Sequence, residues 1–373
     1  MRSFIKDNVR KIVLKFGTKI ILKNILNFNK ENNFFSDFAS LIDRGYQFSI
    51  VSSGAAGLGM ESLGIKTKPQ PLQKKQALAA VGQSILIQRW NHFLHSYGIK
   101  SAQVLLTNDI FEDRKRFLHT RDCLSTLFNL NIIPIINEND TVAIDELKFG
   151  DNDILSVLTA IITEADLLII FSDIDGLYKD INDKSSLITT VQNFKDIEQY
   201  ISDKNDNLST GGMTSKINAA KLAVQNGIGV IITNGNKIEL NNILSGKEIG
   251  TLFVPQKNTK NFRKKWIFFK REIKGKLFID EGAKIALLKN KKSLLPRGVY
   301  KIEGIFNEGD IVSIYDNGNY LIGKGIVYYS SDEIQKIMGK NSRQIQNILG
   351  YKVSDEIINR DNLILLTEEG SDE

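Results

Sequence analysis

The stretch Leu167-Leu168-Ile169-Ile170-Phe171-Ser172-Asp173-Ile174-Asp175-Gly176 places five consecutive apolar residues directly before a polar turn that contains glycine. An apolar run of this kind, without polar alternation, is typical of a parallel strand that is buried on both faces. In open parallel sheets, ligands bind beyond the carboxyl ends of the strands. The stretch therefore predicts a buried parallel strand with a candidate ligand site at its end.

Further short runs rich in β-branched residues occur in the first 250 residues. They are Lys11–Leu14, Phe48–Val51, Gln103–Leu106, Ile132–Ile136 and Val230–Thr233. Helical patterns separate these runs, and the clearest extends from about Leu72 to Tyr97, with apolar residues three or four positions apart. Alternating strands and helices predict an α/β fold: a three-layer α/β/α sandwich with a mainly parallel sheet.

The pattern changes near Gly250, where a charged connector leads into short strand-like pieces separated by glycine turns. This spacing predicts a small C-terminal β-rich barrel or sandwich of about 80 residues. We expect a first domain at residues 1–256, a basic connector at 257–275, the β-rich domain at 276–354 and a C-terminal extension at 355–373. Between Lys257 and Lys301, 15 Lys and Arg minus 3 acidic residues give +12, whereas the whole chain carries +6. Such a segment indicates either a solvated face or an anionic partner.

The composition argues against several classes of protein. A single cysteine, Cys123, excludes an internal disulfide, and with only three histidines a zinc site is not expected. We interpret His92 and His95 as ordinary residues of a helix. No apolar run approaches the roughly 18–20 residues of a membrane span, and the first residues lack the apolar core of a signal peptide. We therefore expect a cytoplasmic protein without membrane contact.

Glycine-rich motifs follow the first two strands. In Lys15-Phe16-Gly17-Thr18, the lysine can offer its ammonium to a phosphate while Gly17 lets the backbone approach closely. In Ser52-Ser53-Gly54-Ala55-Ala56-Gly57, small residues lead into a helix and can present backbone N–H groups to an anion. A tight strand–helix turn would require the same glycines, so a purely structural role remains open.

Polar motifs occur at three further places. One motif, Asn137-Glu138-Asn139-Asp140, follows an apolar strand. Its side chains offer hydrogen-bond acceptors for an ammonium group and donors for carboxylates, so the motif suits a zwitterionic ligand. A loop exposed to solvent would have a similar composition. Gly150-Asp151-Asn152-Asp153 precedes a helix that its acids would also cap. Thr210–Lys216 contains a Gly-Gly turn that opens a helix, and this turn can hold nucleotide phosphates.

The sequence contains no Walker loop and no dinucleotide-binding glycine motif after a strand. A kinase of this sequence would therefore be neither a P-loop enzyme nor a protein kinase.

Taken in order, these motifs resemble the amino acid kinase family over nearly the whole chain. The specific stretches are Lys15–Thr18, Ser53–Ala55, Lys75–Gln83, Asn137–Asp140, Gly150–Ser156, Asp175–Tyr178 and Gly211–Lys216. The C-terminal part resembles the PUA domain that glutamate-phosphorylating bacterial members of this family carry. Its matching stretches are Lys264–Phe268, Asp280–Ala283, Ser293–Pro296 and Ile348–Tyr351.

The resemblance implies a role for each motif. Lys15 and Lys216 would hold the transferring phosphoryl group, with Asp153 orienting both lysines. The substrate-binding residues would be Ser53, Asp140 and Asn152. ATP would be bound by Lys15, Ser172, Asp173, Thr210, Gly211, Gly212, Met213, Thr214, Ser215 and Lys216.

The implied reaction is ATP-dependent phosphorylation of the γ-carboxylate of L-glutamate, which gives L-glutamyl 5-phosphate and ADP and begins proline biosynthesis. A carboxylate nucleophile is already ionised at neutral pH, so the reaction needs no general base. It needs in-line positioning and cations on the developing charge, which two lysines and Mg²⁺ supply. The resemblance implies that Mg²⁺ is carried by ATP and that the protein has no metal site of its own.

The resemblance also suggests partners. They are proline as a feedback inhibitor, further copies of the chain in a dimer or tetramer, glutamate-5-phosphate reductase as a functional link, and RNA at the PUA domain. Two alternatives remain: another carboxylate or carbamate kinase of this fold, such as an acetylglutamate kinase, or an RNA-binding protein that uses the kinase domain as a scaffold. Two departures from the family pattern stand out: Ser172 replaces the usual threonine, and Asp203–Ser209 lacks a common glycine.

Overall fold

A computed structural model of the protein describes residues 2–23, 34–67, 71–107, 110, 114–142, 152–180, 182–201, 212–256 and 273–365. The chain divides into two compact units, Met1–Thr259 and Lys260–Glu373. Several predicted features lie outside the described residues. They are Gly150, Asp151, Thr210, Gly211, the altered stretch Asp203–Ser209 and the basic connector up to residue 272.

The first unit is built on a sheet with the strand order β3-β4-β2-β1-β5-β7-β8-β6. Neighbouring strands are parallel throughout except for the antiparallel pair of β7 and β8. The strands are β1 Lys11–Phe16, β2 Gln47–Ser52, β3 Lys100–Leu106, β4 Ile132–Glu138, β5 Leu167–Ser172, β6 Thr190–Val191, β7 Gly229–Asn234 and β8 Thr251–Phe253. Every strand expected in this part of the sequence is present, and the mainly parallel sheet is confirmed.

Helices cover both faces of this sheet. They are α1 Ser3–Asn8, α2 Thr18–Lys23, α3 Phe34–Asp43, α4 Ala55–Ser62, α5 Leu72–His95, α6 Arg114–Asn129, α7 Asn152–Ile162, α8 Glu198–Ile201, α9 Gly212–Gln225 and α10 Leu240–Leu244. Successive side chains of a strand point to opposite faces. In β1, Ile12, Leu14 and Phe16 therefore enter one core together with residues of α3 and α5. Lys15 points to the other face, where α7 packs against β1.

Two glycines allow α4 and α5 to pack with their backbones in contact. A Cβ on Gly82 of α5 would lie 1.7 Å from the carbonyl oxygen of Ala55, and one on Gly59 of α4 would lie 1.9 Å from that of Leu78. Real Cβ atoms do not approach backbone this closely, so any larger residue would force the helices apart. These contacts fix the start of α5 against the turn that follows β2.

The second unit has its own hydrophobic core and a five-stranded sheet with the order β10-β9-β11-β12-β13. Its strands are β9 Gly275–Ile279, β10 Val299–Glu303, β11 Ile311–Tyr315, β12 Leu321–Ile326 and β13 Leu363–Leu365. Its helices are α11 Glu281–Leu288, α12 Ser331–Ile337 and α13 Ile345–Leu349. The predicted small β-rich domain is therefore present.

The fold of the second unit extends past residue 354, where we expected the β-rich domain to end. Ile357 and Ile358 are buried in its core, and β13 pairs with β12. We therefore propose that residues up to 365 belong to the domain rather than to an extension. Among the helices in the described part of the chain, none is long and apolar enough to cross a membrane.

Candidate active site

Asp153 joins two lysines that are far apart in sequence. Its carboxylate forms an ion pair with Lys15 through Oδ1, and Lys216 Nζ lies 3.4 Å from Oδ2. The Asp153 side chain is fully buried, and those of Lys15 and Lys216 are 4% and 12% exposed. A buried charge is costly unless it is paired. One carboxylate therefore holds two ammonium groups at a point from which water is largely excluded.

Three elements bring these groups together. Lys15 is near the carboxyl end of β1, Asp153 is in the first turn of α7, and Lys216 is in the second turn of α9. The two-residue period of β1 directs Lys15 towards α7, since its neighbour Leu14 enters the opposite core. Contacts between α7 and α9 bring Lys216 to the same place. The sequence motifs at Lys15, Asp153 and Lys216 thus form one cluster.

A cavity of about 750 Å³ lies beside this cluster. All three predicted substrate-binding residues, Ser53, Asp140 and Asn152, line it. Asn152 directly precedes Asp153 in the first turn of α7, so the same turn carries one residue of the cavity lining and the buried carboxylate of the lysine cluster. Lys15, Asp153 and Lys216 are not themselves among the described residues that line the cavity.

A chain of amide hydrogen bonds fixes the polar wall of the cavity. Asn152 Nδ2 donates to Ser53 Oγ at 2.7 Å and to Asn137 Oδ1 at 3.0 Å. Asn137 Nδ2 in turn donates to Gln83 Oε1 of α5 at 2.8 Å. Because each partner constrains the next, the network orients Asn152 and Ser53 before any ligand arrives.

The turn after β2, which includes Ser53, forms a further part of the lining. Gly54 has φ +107°, in the left-handed region that favours glycine, and it directly precedes α4. Ser53 N–H donates to Phe16 O at 3.1 Å, which ties this turn to the end of β1. Gly54, Ala55, Ala56 and Gly57 all line the cavity, so backbone at a helix start faces the ligand space, as the sequence predicts.

The predicted nucleotide-binding pair, Ser172 and Asp173, is at the end of β5, next to the end of β1. Ser172 Oγ donates to Asp173 Oδ1 at 3.2 Å, and Lys19 Nζ of α2 lies 2.6 Å from Asp173 Oδ2. The hydrogen bond from Lys19 lowers the pKa of Asp173, and the same bond raises the pKa of Lys19. Met213, Thr214 and Ser215 are partly buried in the first turn of α9. Their use by a nucleotide stays a prediction, and Thr210 and Gly211 lie outside the described residues.

A second polar network follows at Asp175. Tyr178 OH and Asn234 Nδ2 each donate to its carboxylate at 2.8 Å. These hydrogen bonds lower the pKa of Asp175, with that from Asn234 the larger cause, whereas burial and the bond to Asp175 raise the pKa of Tyr178 to about 12. The ends of β5 and β7 are thereby joined beside Ser172.

Sequence reasoning gave no role to several of these residues. Lys19, Gln83 and Asn234 make the side-chain contacts described above, and Lys75 lines the cavity. Asn234 is the last residue of β7 and directly follows the predicted run Val230–Thr233, so the strand-end rule that identified the other motifs would have found it. Lys75 and Gln83 are the first and last residues of a stretch that resembles the family, so that resemblance was a signal for them although no role was attached to it. Lys19 is on a helix outside the matching stretches, where sequence alone does not separate a site residue from a solvated one. His92 and His95 are exposed on α5, as ordinary helix residues. The described ranges contain no group of three His, Cys, Asp or Glu side chains suited to a metal.

Comparisons with known proteins match both units. The model of the amino acid kinase family matches residues 10–234, and the PUA domain model matches residues 275–349. A glutamate 5-kinase of Thermoanaerobacter sp. strain X514 is 45% identical, covering 95% of this chain and 98% of the relative. A glutamate 5-kinase of Syntrophotalea carbinolica is 42% identical, covering 98% of this chain and all of the relative. Carbamate kinase from Giardia lamblia bound to AMP-PNP matches with a TM-score of 0.47 and 15% identity, over 67% of this chain and 99% of that one.

Proposed function

This chain belongs to the amino acid kinase family, and we propose that its strand-end clusters form one active site in which ATP phosphorylates the side-chain carboxylate of glutamate. The chain catalyses the ATP-dependent phosphorylation of glutamate in proline biosynthesis, in keeping with relatives 42–45% identical over nearly the full length. The assignment of the individual residues is our proposal. Its main support is the buried carboxylate of Asp153, which holds Lys15 and Lys216 beside the cavity.

In the proposed reaction, a γ-carboxylate oxygen of glutamate attacks the γ-phosphorus of ATP. An oxygen–phosphorus bond forms, the bond to the β–γ bridging oxygen breaks, and ADP leaves with the electron pair. Charge spreads over the oxygens of the transferring group, and Lys15 and Lys216 stabilise that charge. Asp153 keeps both ammonium groups in place, so little reorganisation is needed during the transfer.

Glutamate binding is assigned to the cavity. We propose that Asp140 accepts hydrogen bonds from the ammonium group, while Asn152 and Ser53 position the carboxylate that reacts. Asn137 and Gln83 act through Asn152 as positioning residues, because their hydrogen bonds set the orientation of its amide. A pre-oriented acceptor lowers the barrier since less freedom is lost in reaching the transition state.

ATP is assigned to Lys15 at the end of β1, to Ser172 and Asp173 at the end of β5, and to Thr210–Lys216, of which the residues from Gly212 onwards begin α9. We propose that Mg²⁺ enters with ATP, because this ion is commonly held by substrate phosphates and only one or two carboxylates. When bound, it neutralises part of the phosphate charge. We propose a cytoplasmic location, where ATP is available.

Further partners follow from the family. We propose that proline inhibits the enzyme at the glutamate cavity and that the chain forms a dimer or tetramer. A functional link to glutamate-5-phosphate reductase is proposed because the product is an acyl phosphate, which water hydrolyses. RNA is proposed as a partner of the PUA domain, with the basic segment from Lys257 to Lys301 as support.

The reaction is tested by incubating the full chain with MgATP and L-glutamate and trapping the acyl phosphate with hydroxylamine. Hydroxamate and ADP are expected in equal amounts with L-glutamate, and little of either with N-acetylglutamate or aspartate. Hydroxamate formed mainly from N-acetylglutamate would contradict the proposal in favour of an acetylglutamate kinase. RNA retention on filters without any ADP release would favour the RNA-binding scaffold.

A further inference from the structure

The charges that line the glutamate cavity are unbalanced. Three acidic residues, Glu61, Glu138 and Asp140, face it, whereas Lys75 is the single cationic side chain among the described residues of the lining. Glutamate brings two carboxylates and one ammonium group. The proposed roles of Lys15, Lys216 and Asp140 leave the α-carboxylate without an assigned partner. Like charges disfavour the ionised form of a carboxylate, so a cation among these acidic side chains would favour its binding beyond what the backbone N–H groups of Gly54–Gly57 can supply.

The position of Lys75 is fixed by the packing of its helix. Lys75 is in the first turn of α5, and Leu78, one turn further, is buried at the inner wall of the cavity. Backbone contact at Gly59 and Gly82 holds this part of α5 against α4. The Lys75 side chain is exposed at the rim, so its aliphatic stem can lie along the wall while the ammonium reaches the mouth of the cavity.

Helix α5 contacts the Asn152 end of the cavity through Gln83 and Asn137, and Lys75 lies eight residues before Gln83, about 12 Å along the helix. Asn152 marks the reacting end, because its neighbour Asp153 pairs with the lysines that hold the phosphoryl group. Lys75 is on α5, whereas Asn152 is on α7. A glutamate molecule with its γ-carboxylate at Asn152 would therefore turn its α-carboxylate towards another part of the lining, where Lys75 carries the available positive charge.

We propose that Lys75 binds the α-carboxylate of glutamate and thereby selects amino acids with a free α-carboxylate as acceptors. This inference rests on the proposed function of the cavity. Lys75 contributes binding and specificity but does not act on the transferring phosphoryl group. Its loss should therefore raise KM for glutamate by about tenfold to a hundredfold, as for a hydrogen-bonded charge, while kcat changes little.

The test uses two acceptors of the same shape: L-glutamate and its α-amide, L-isoglutamine, which lacks the α-carboxylate charge. Hydroxamate formation is measured for the full-length wild type and for Lys75→Met, Lys75→Arg and Lys74→Met. Lys74 is the matched control because it is exposed beside Lys75 but does not line the cavity. Circular dichroism and KM for ATP verify that each variant is folded.

The ratio of kcat/KM for glutamate to that for isoglutamine should fall about tenfold to a hundredfold in Lys75→Met. Most of the fall in this ratio should come from a lower kcat/KM for glutamate rather than from a higher kcat/KM for isoglutamine. Lys75→Arg should keep a large part of the ratio, and Lys74→Met should keep all of it. An equal loss with both acceptors in Lys75→Met, or an unchanged ratio, would overturn the inference. A wild type that gives no hydroxamate from glutamate would instead overturn the proposed function itself.

Discussion

Lys216 Nζ lies 3.4 Å from Asp153 Oδ2, on the carboxylate whose other oxygen pairs with Lys15. One buried anion thus sets the positions of two cations that come from different elements of the sheet and its helices. An ion pair exposed to water contributes little to the free energy of unfolding, but removing one partner of a buried pair leaves an uncompensated charge in the interior. We therefore expect the loss of any one of these three residues to disturb the positions of the other two.

Lys216→Ala should lower kcat by about 10²–10³-fold, because one of the two cations on the developing phosphoryl charge is lost. KM for glutamate should change much less. The measurement is steady-state ADP release with saturating ATP and glutamate. Lys221→Ala, a change of an exposed lysine on the same helix, is the control and should leave kcat unchanged. Activity of Lys216→Ala within a few-fold of the wild type would refute the role of Lys216.

Asp140→Ala should raise KM for glutamate far more than KM for ATP, because the carboxylate proposed to face the ammonium group is removed. Asp140 lines the cavity, whereas Ser172 and Asp173, assigned to ATP, do not. The two constants are measured by varying each substrate at a saturating level of the other. Equal increases in both would indicate that the loop after β4 is only structural.

Lys19→Met should make ATP binding more sensitive to acid. The hydrogen bond from Lys19 lowers the pKa of Asp173, so the carboxylate stays charged at pH values where an unperturbed aspartate would be protonated. Without Lys19, the pKa should rise towards its ordinary value of about 4, and the acid-side increase of KM for ATP should move to higher pH. Profiles of KM for ATP against pH in wild type and Lys19→Met test this, and superimposable profiles would contradict it.

Arg2→Met should destabilise the first unit by about 2–4 kcal/mol, since hydrogen bonds from a charged group are lost and buried carbonyls are left unpaired. The Arg2 guanidinium donates to the carbonyl oxygens of Lys247, Ile249, Thr189 and Gly250 at 2.7–2.9 Å. Urea unfolding followed by circular dichroism gives the free energy of unfolding. Lys6→Met, at an exposed position of α1, should change it by less than about 0.5 kcal/mol. A similar value for both variants would show that the Arg2 contacts contribute no net stability.

A chain that ends after Gln256 should retain glutamate kinase activity. Every proposed site residue precedes this position, and the two units have separate hydrophobic cores. Gln256 is the natural end because its N–H still donates to Val224 O at 3.2 Å. ADP release is measured on the truncated protein after circular dichroism has shown that it is folded. The assembly state and the inhibition by proline are measured on the same protein, and at least one of them should differ from that of the full chain. A folded but inactive truncation would mean that the second unit is needed for catalysis.

The features that could be predicted are those that depend on short local patterns of the sequence. The run Leu167–Phe171 is strand β5, buried along its whole length, and the polar residues after it are at the carboxyl edge of the sheet. Lys15, Asn137 and Ser172 could be placed in the same way, because a buried apolar strand ends where polar residues begin. The boundary of the second domain was harder to place, since β13 is only three residues long and follows an irregular stretch.

Contacts between helices and distant strand ends could not be read from the sequence. Lys19 and Asp173 are 154 positions apart, and they meet only because β1 and β5 are neighbours in the sheet. Periodicity identifies each strand but carries no information on strand order, which the crossover helices decide. In the same way, periodicity does not separate the adjacent lysines Lys74 and Lys75 at a helix start, although only Lys75 lines the cavity.

The sequence by itself determined the parallel α/β fold and the strand ends at which polar motifs begin, because burial of apolar runs and the two-residue period of strands are local properties. Only the tertiary structure decided which of these groups act together. The pairing of Asp153 with both lysines and the closure of the cavity by α5 depend on packing between elements. Side-chain contacts between distant segments arise from strand order and close helix packing, which no short stretch of sequence specifies.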